Sequence, residues 1–223
     1  MWSSPSVSDA DLEHVSRETL LSLSPAPEAL LAYEELLRSQ AGTRGLMGPR
    51  EFDKLWSRHL LNCAIPALEP ELVPQGAVVM DVGSGAGLPG LVWGMLRPDL
   101  SLILVDSQKR RADFLDEANR ELDLTDRVQV VRERVEDLPA DVDADVITAR
   151  ALGPLTRIVP WFAPRLRPGG RIVTLKGRSL PEELAAADGL LTRFGLEDAR
   201  AEELGRGLPV TATVFVANRR KSP

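Results

Sequence analysis

Apolar positions recur at helical spacing through roughly the first 70 residues, then give way to short apolar runs beyond Gly76. Leu12, Val15, Leu20 and Leu23 fall near one helical face, which predicts a helix capped by Asp9 or Asp11 and broken by Pro25 and Pro27. A second helix is expected over Glu28 to Gln40, with Leu30, Leu31 and Leu37 on one side and Gly42 and Gly45 at its end. After a Met47-Gly48-Pro49 loop, a third should start at Arg50 and carry Phe52, Leu55, Trp56, Leu60 and Leu61, with Pro66 and Pro70 closing the region.

Ala77-Val78-Val79-Met80-Asp81-Val82 is then a nearly continuous apolar run, as expected of a strand buried on both faces. Further strands are predicted at Ser101 to Asp106, Val128 to Arg132, Asp145 to Ala149 and Arg171 to Leu175, the last preceded by a turn at Gly169-Gly170. Amphipathic helices are clearest at Lys109 to Leu122, Leu155 to Leu166 and Pro181 to Phe194. A final pair of strands closes the chain, the second spanning Val210 to Ala217. Alternation of this kind predicts an α/β fold with a mostly parallel, doubly wound sheet and an N-terminal helical extension. The division expected is 1–75 for the extension, 76–218 for the core and 219–223 for a basic tail.

Composition narrows the class. At 223 residues, with 43% hydrophobic and 27% charged residues, the chain holds one sizeable core. No apolar run approaches the roughly 20 residues that span a bilayer, and Met1-Trp2-Ser3-Ser4-Pro5 lacks the start of a secretory signal, so a cytoplasmic protein is expected. Cys63, the single cysteine, excludes an internal disulfide and a cysteine-built zinc site; no metal is expected. Nothing suggests an obligate assembly, so a monomer is expected.

The strongest chemical signal is Asp81-Val82-Gly83-Ser84-Gly85-Ala86-Gly87, at the end of the first predicted strand, where ligands of such sheets bind. Dinucleotide enzymes want glycine at the sixth position of this loop, and here that position is Leu88. Glycines at 83, 85 and 87 after an acidic residue resemble instead the first motif of S-adenosylmethionine (SAM)-dependent methyltransferases. Asp81 would suit a ligand with a cationic amino-acid end. Asp106, about 20 residues past the loop at the end of the next strand, is placed to accept hydrogen bonds from ribose hydroxyls.

The acceptor is less legible. Enzymes that methylate exocyclic amines commonly carry an Asn- or Asp-Pro-Pro-aromatic motif after the fourth strand, where this chain reads Thr148-Ala149-Arg150-Ala151. Methylation at pyrimidine C5 needs a nucleophilic cysteine, and Cys63 lies in a predicted helix as a structural thiol would. An acceptor with its own lone pair, such as guanine N7, needs no general base. Net charge is −6, yet 146–181 contains no Asp or Glu and holds Arg150, Arg157, Arg165, Arg167, Arg171, Lys176 and Arg178. With Arg132 and Arg134, and with Arg219, Arg220 and Lys221 in the tail, an acidic protein is expected to carry a basic mouth suited to phosphates. Arg157, Arg165 and Arg167, on a helix, are read as a solvated face, whereas Arg150 and Lys176 fall at strand ends on the ligand rim.

Gly83-Ser-Gly-Ala-Gly-Leu-Pro-Gly90, Val105-Asp106-Ser107 with Lys109-Arg110, Arg134-Val135-Glu136, Thr148-Ala149-Arg150-Ala151, Leu175-Lys176-Gly177 and Arg58-His59 together resemble the RsmG (GidB) methyltransferases. The resemblance implies a Rossmann-like class I SAM-dependent fold with an antiparallel final strand. It implies transfer of methyl to N7 of one guanine in 16S ribosomal RNA, with the RNA or the small subunit as partner. By position it implies SAM contacts at Gly83, Leu88, Val135, Glu136 and Arg150, with Asp81, Gly85 and Asp106 beside them in the cofactor site. Arg134, Arg150 and Lys176 are then candidates for holding phosphate or guanine O6. His59, on a predicted amphipathic helix, is read as structural, with no role implied by the resemblance, and the tryptophans Trp56 and Trp161 as core or pocket wall. A methyltransferase of small molecules or another RNA, a non-catalytic SAM-binding regulator and a nucleotide-dependent dehydrogenase are the alternatives.

Overall fold

A computed structural model describes residues 8–221. Met1 to Val7, on which the reading of the N-terminus as free of a secretory signal rests, and the last residues of the basic tail, Ser222 and Pro223, lie outside them. Helix α1 (Asp9–Leu23) is capped not by Asp9 or Asp11 but by Ser8, whose Oγ accepts from the Asp11 N–H at 3.1 Å. Both aspartates stand in the first turn, where their charge favours the helix dipole. Pro27 opens α2 (Pro27–Leu36) at the position where a missing N–H costs nothing, and the helix continues as a wider π-type turn over Leu37–Ala41.

The third expected helix is composite: a 3-10 segment (Pro49–Lys54), a π-type segment (Leu55–Leu61), a short α3 (Asn62–Ala64) and a 3-10 turn (Ile65–Leu68). The π-type segment has its N-terminal donors satisfied from α1. Glu13 accepts from the Trp56 N–H at 2.8 Å and the Ser57 N–H at 2.9 Å, one with each carboxylate oxygen. Residues 56 and 57 are thereby held in place by a helix distant in sequence.

The sheet has seven strands in the order β3-β2-β1-β4-β5-β7-β6. Strands β1 (Val78–Val82), β2 (Ser101–Val105), β3 (Val128–Val131), β4 (Ala144–Thr148) and β5 (Leu166–Leu175) are parallel. β7 (Ala212–Arg219) runs antiparallel between β5 and β6 (Leu196–Leu204). Helices α4 (Gly90–Leu96), α5 (Lys109–Glu121), α6 (Leu155–Phe162) and α7 (Leu180–Arg193) complete the architecture.

Side chains of β1 and β2 alternate between faces, as the two-residue period of a strand requires. Val79, Leu102 and Leu104 join one core with α1, α2, α4 and α5, while Met80, Val82 and Val105 join another with α6 and α7. The N-terminal helices therefore share a core with one face of the sheet. Trp93, fully buried on α4, donates from Nε1 to the Cys63 carbonyl at 2.7 Å and ties the two layers together.

Two expectations change. Gly169-Gly170 lies inside β5, not before it, because pairing jumps from Ala144↔Leu166 to Val146↔Arg171 through a bulge. A Cβ on Gly170 would stand 2.8 Å from the Asp145 carbonyl, so glycine permits this close backbone approach. The helix expected to reach Leu166 ends at Phe162, and a 3-10 turn (Ala163–Arg165) delivers the chain into β5.

Candidate functional site

The glycine loop leaves β1 at Val82 and enters α4 at Gly90. Gly83, Gly85 and Gly87 have φ of +72°, +59° and +91°, the left-handed region that a side chain disfavours. Close neighbours add to this: a Cβ on Gly83 would force Leu152 Cδ1, 2.6 Å away, to move, and one on Gly90 would overlap Leu104 Cδ2. Tyr33, the sole tyrosine, donates its hydroxyl to the Ala86 carbonyl at 2.5 Å and fixes the loop from the helical extension.

Asp81 is not on the exposed wall of this site. It is fully buried beneath the loop, where Oδ2 accepts from the Gly90 N–H at 2.9 Å. Burial pushes its carboxyl up to about 7, only partly opposed by the Gly90 hydrogen bond. The folded state therefore holds a proton more tightly than the unfolded one, and the stability this group contributes is full below about pH 4 and lost as pH rises through about 7. Asp81→Asn should remove that slope, which reaches about 1.4 kcal/mol per pH unit within the window. Urea unfolding at pH 5 and pH 8 checks it: the variant should gain on the wild type at the higher pH, and an equal difference at both would contradict the assignment.

Asp106, just past β2, is 3% exposed and firmly held. Its Oδ2 accepts from the Gly85 N–H and its Oδ1 from the Gln108 N–H, both at 3.0 Å, and Arg111 Nη1 lies 3.5 Å from Oδ2. Acceptor capacity remains on both oxygens. With Gly83, Arg134, Val135, Glu136 and Trp161 it lines a cavity of about 310 Å³. Arg157 lines the same wall and stacks over the Trp161 ring at 4.9 Å from its centroid.

A second cavity, of about 380 Å³, lies between the glycine loop and the helical extension, bounded by Gly83, Gly85, Leu88, Glu51, Arg111 and Arg150. A third, of about 710 Å³, opens beyond β4 and β5 and is lined by Arg58, Asn62, Arg150, Lys176, Glu183 and Thr211 among others. Leu152 borders all three, which therefore form one trough across the carboxyl ends of the parallel strands. The loop beneath it is strained: Ala151 has φ of +56°, a conformation uncommon for a residue with a Cβ and concentrated at functional sites.

Arg150 stands at the junction of the second and third cavities, anchored by a bridge to Leu175. Its Nη2 donates to the Arg58 carbonyl at 3.3 Å, and its Nη1 lies 3.6 Å from Cys63 Sγ. His59, buried nearby, has Nε2 at 2.7 Å from Glu51 Oε2. Burial and the Arg150 charge hold its pKa below the usual value, so it is neutral at neutral pH. Lys176 donates to Glu183 Oε2 and to the Gly153 carbonyl, each at 2.6 Å. Burial would raise Glu183, but hydrogen bonds from Lys176 and Ser179 outweigh it and keep the carboxylate ionised.

The single basic mouth expected from 146–181 is not what forms. Arg165 donates to the carbonyls of Leu138 and Pro139, Arg167 pairs with Asp143 and Asp145, and Arg171 donates to the Glu71 carbonyl. Arg219 donates to the carbonyls of Ala163 and Leu166, and Arg220 pairs with Glu197. Because β7 is antiparallel, its carboxyl end lies beside the start of β5, Asn218 opposite Arg171, on the rim away from the glycine loop. Arg150, Arg157 and Lys176 do face the trough, joined by Arg58, Arg111 and Arg134. Arg58 is visible in the Arg-His pair; for Arg111, Leu152 and Glu183 no local pattern in the sequence marks their place.

The profile of the family described as rRNA small subunit methyltransferase G matches residues 26–208. A protein named ribosomal RNA small subunit methyltransferase G from Salinispora tropica is 46% identical over 198 residues, covering 85% of this chain and 81% of its own length. Proteins of the same name from Streptomyces coelicolor and Mycolicibacterium gilvum are 44% and 39% identical, covering 82% and 89% of the chain and 77% and 87% of their own lengths. Among solved structures, the S-adenosylmethionine-dependent methyltransferase SibL superposes with a TM-score of 0.61 at 16% identity, covering 86% of this chain and 70% of its own. P. horikoshii TYW2 in complex with MeSAdo gives 0.56 at 17% identity, over 74% of this chain and 64% of its own. These distant likenesses show the fold, that of the SAM-dependent methyltransferases. Helix α1, with Glu13, precedes the matched residues.

Proposed function

We propose that this chain, which belongs to the rRNA small subunit methyltransferase G family, transfers methyl from SAM to N7 of a guanine in 16S ribosomal RNA. It is a SAM-dependent methyltransferase of small-subunit ribosomal RNA; the atom and the residue roles are the proposal. The observation that carries it is the trough itself, in which the glycine-loop cavities open sideways into a large cavity walled by cationic side chains.

The residues present fit the donor. Gly85, where a Cβ would meet only the Gly83 carbonyl at 3.7 Å, leaves the loop backbone open to a ligand, and Asp106 retains acceptor capacity for ribose hydroxyls. Val135 and Glu136 would flank the adenine, with Gly85, Leu88 and Arg150 toward the amino-acid end. Asp81 supports this site from below by fixing Gly90. SAM supplies an electrophilic methyl on a sulfonium. The protein's tasks are alignment and exclusion of water. Guanine N7 offers its own lone pair, so no base has to remove a proton, and the carboxylate of the large cavity is already committed, Glu183 to Lys176 and Ser179. The methylated base is cationic, which leaves Arg58, Arg134 and Arg150 to the RNA phosphates.

A single chain supplies every group used here, and such a substrate places the enzyme in the cytoplasm. No helix among the described residues is long and apolar enough to cross a membrane, and among them no group of three His, Cys, Asp or Glu is placed to hold a metal.

Arg134, exposed and without an ion pair among the described residues, is the cleanest probe of RNA contact. Arg134→Ala should weaken binding of small-subunit RNA about tenfold and lower the salt slope by about one. The SAM dissociation constant, measured by calorimetry, should stay unchanged; a weaker SAM complex with unchanged RNA affinity would overturn the assignment. The acceptor class itself is tested by competition: small ribosomal subunits should accept methyl where free guanosine does not, and equal transfer to both would point to a small-molecule enzyme.

A further inference from the structure

We propose that the Lys176–Glu183 pair reads the O6 and N1–H edge of the target guanine, an inference that rests on the guanine-N7 reading above. Both side chains are largely buried, 8% and 16% exposed, and both line the cavity of about 710 Å³ that adjoins the glycine-loop cavity. Leu152, Ile158 and Val210 give that cavity apolar walls for the faces of a base. At its polar end the ammonium and the carboxylate lie side by side, 2.6 Å apart.

The hydrogen-bond inventory shows what this pair has left to offer. An ammonium has three donors. Lys176 directs them to Glu183 Oε2 and the Gly153 carbonyl, and one remains. Glu183 accepts on Oε2 from Lys176 and from the Leu155 N–H at 3.1 Å, and on Oε1 from Ser179 Oγ at 2.8 Å. One lone pair of Oε1 remains. A spare donor beside a spare acceptor complements a base that presents an acceptor beside a donor. Guanine does so with O6 and N1–H. Adenine and cytosine present an amine beside a bare ring nitrogen, the reverse order, and would leave both protein groups facing their like. Uracil shares guanine's order but has no imidazole nitrogen to methylate. On guanine, N7 lies on the far side of O6 from N1, so this contact leaves the reacting lone pair open. A site built to hydrogen-bond its substrate rejects an analogue that lacks those atoms far more strongly than an apolar pocket does.

A buried ion pair is weak evidence for stability alone, and this one is turned toward the cavity.

The test replaces atoms of the substrate and leaves the protein intact. Small ribosomal subunits are reconstituted with the target guanine replaced by inosine, which keeps O6 and N1–H, or by 2-aminopurine, which lacks both and keeps N7. Wild-type enzyme should methylate the inosine subunit within about threefold of guanine and lose at least 100-fold in kcat/KM on the 2-aminopurine subunit, with RNA binding unchanged. Equal transfer to guanine and 2-aminopurine, or loss of inosine together with 2-aminopurine, overturns the inference. No transfer to guanine itself overturns the reading beneath it, a distinct result. Glu183→Gln, which turns the acceptor into an amide able to donate, should shrink the preference for guanine over 2-aminopurine at least tenfold at unchanged SAM affinity. A preference that survives in a folded variant, as judged by Tm, also counts against the proposal.

Discussion

Gly83→Ala is expected to weaken SAM binding by at least 100-fold. The alanine would have to hold φ near +72°, which costs about 1–2 kcal/mol in a left-handed conformation. Its Cβ would also stand 2.6 Å from Leu152 Cδ1, and Leu152 borders every cavity of the trough. Relief of that clash by rotating Leu152 narrows the space it borders. Gly76→Ala separates the two effects, because Gly76 has φ of +71° and a Cβ there would meet nothing within 4 Å. That variant should lose about 1–2 kcal/mol of stability and keep its SAM affinity. Calorimetric titration with SAM alongside urea unfolding reads both; wild-type affinity in Gly83→Ala would show that the loop does not form the donor site.

Arg150→Ala should reduce methyl transfer at least 100-fold. This guanidinium joins the donor and acceptor cavities, and its hydrogen bond to the Arg58 carbonyl ties it to the π-type segment that walls the acceptor side. Arg150→Lys should rescue little, since an ammonium lacks the planar fork that reaches both Arg58 and Cys63. A second readout is independent of turnover. The Arg150 charge helps hold the His59 pKa down, so its removal should raise the imidazole pKa, followed by NMR titration. Full transfer rates with an unmoved His59 titration would leave Arg150 with no part in the reaction.

The central parallel strands are legible in the sequence because both faces of β1 and β4 are covered, and burial on both sides leaves continuous apolar runs such as Ala77 to Val82. Helix α4 is not, for the same reason: every residue from Gly90 to Leu96 is buried, so no polar face exists to reveal a helical period. The bounds of strand β6 are hidden in the opposite way, since this edge strand carries Glu197, Asp198, Glu202 and Glu203 and reads as a solvated stretch. In the site, the glycine loop and Asp106 follow from spacing alone, since both sit at strand ends fixed by the sheet.

Charge is the poorer guide. Counting basic residues between 146 and 181 merges two opposite rims of the sheet, because Arg150 and Lys176 follow the carboxyl ends of β4 and β5 while Arg165 and Arg167 stand at the start of β5. Asp81 shows a related limit: its position before the glycines points to a ligand, while its hydrogen bond to Gly90 places it under the loop. Lys176 looks like a free cation in the sequence, yet its ammonium is tied to Glu183, a partner on the following helix that no spacing rule selects. Lys176→Ala would therefore leave a carboxylate unpaired and disturb folding as well as any RNA contact.

The guanine-N7 assignment is tested most directly by incubating the protein and labelled SAM with small ribosomal subunits from a strain that lacks it, then mapping the modified base. The expected result is label at N7 of one guanine in 16S ribosomal RNA. Label on an exocyclic amine or a pyrimidine carbon, or none at all from protein that binds SAM, would contradict it.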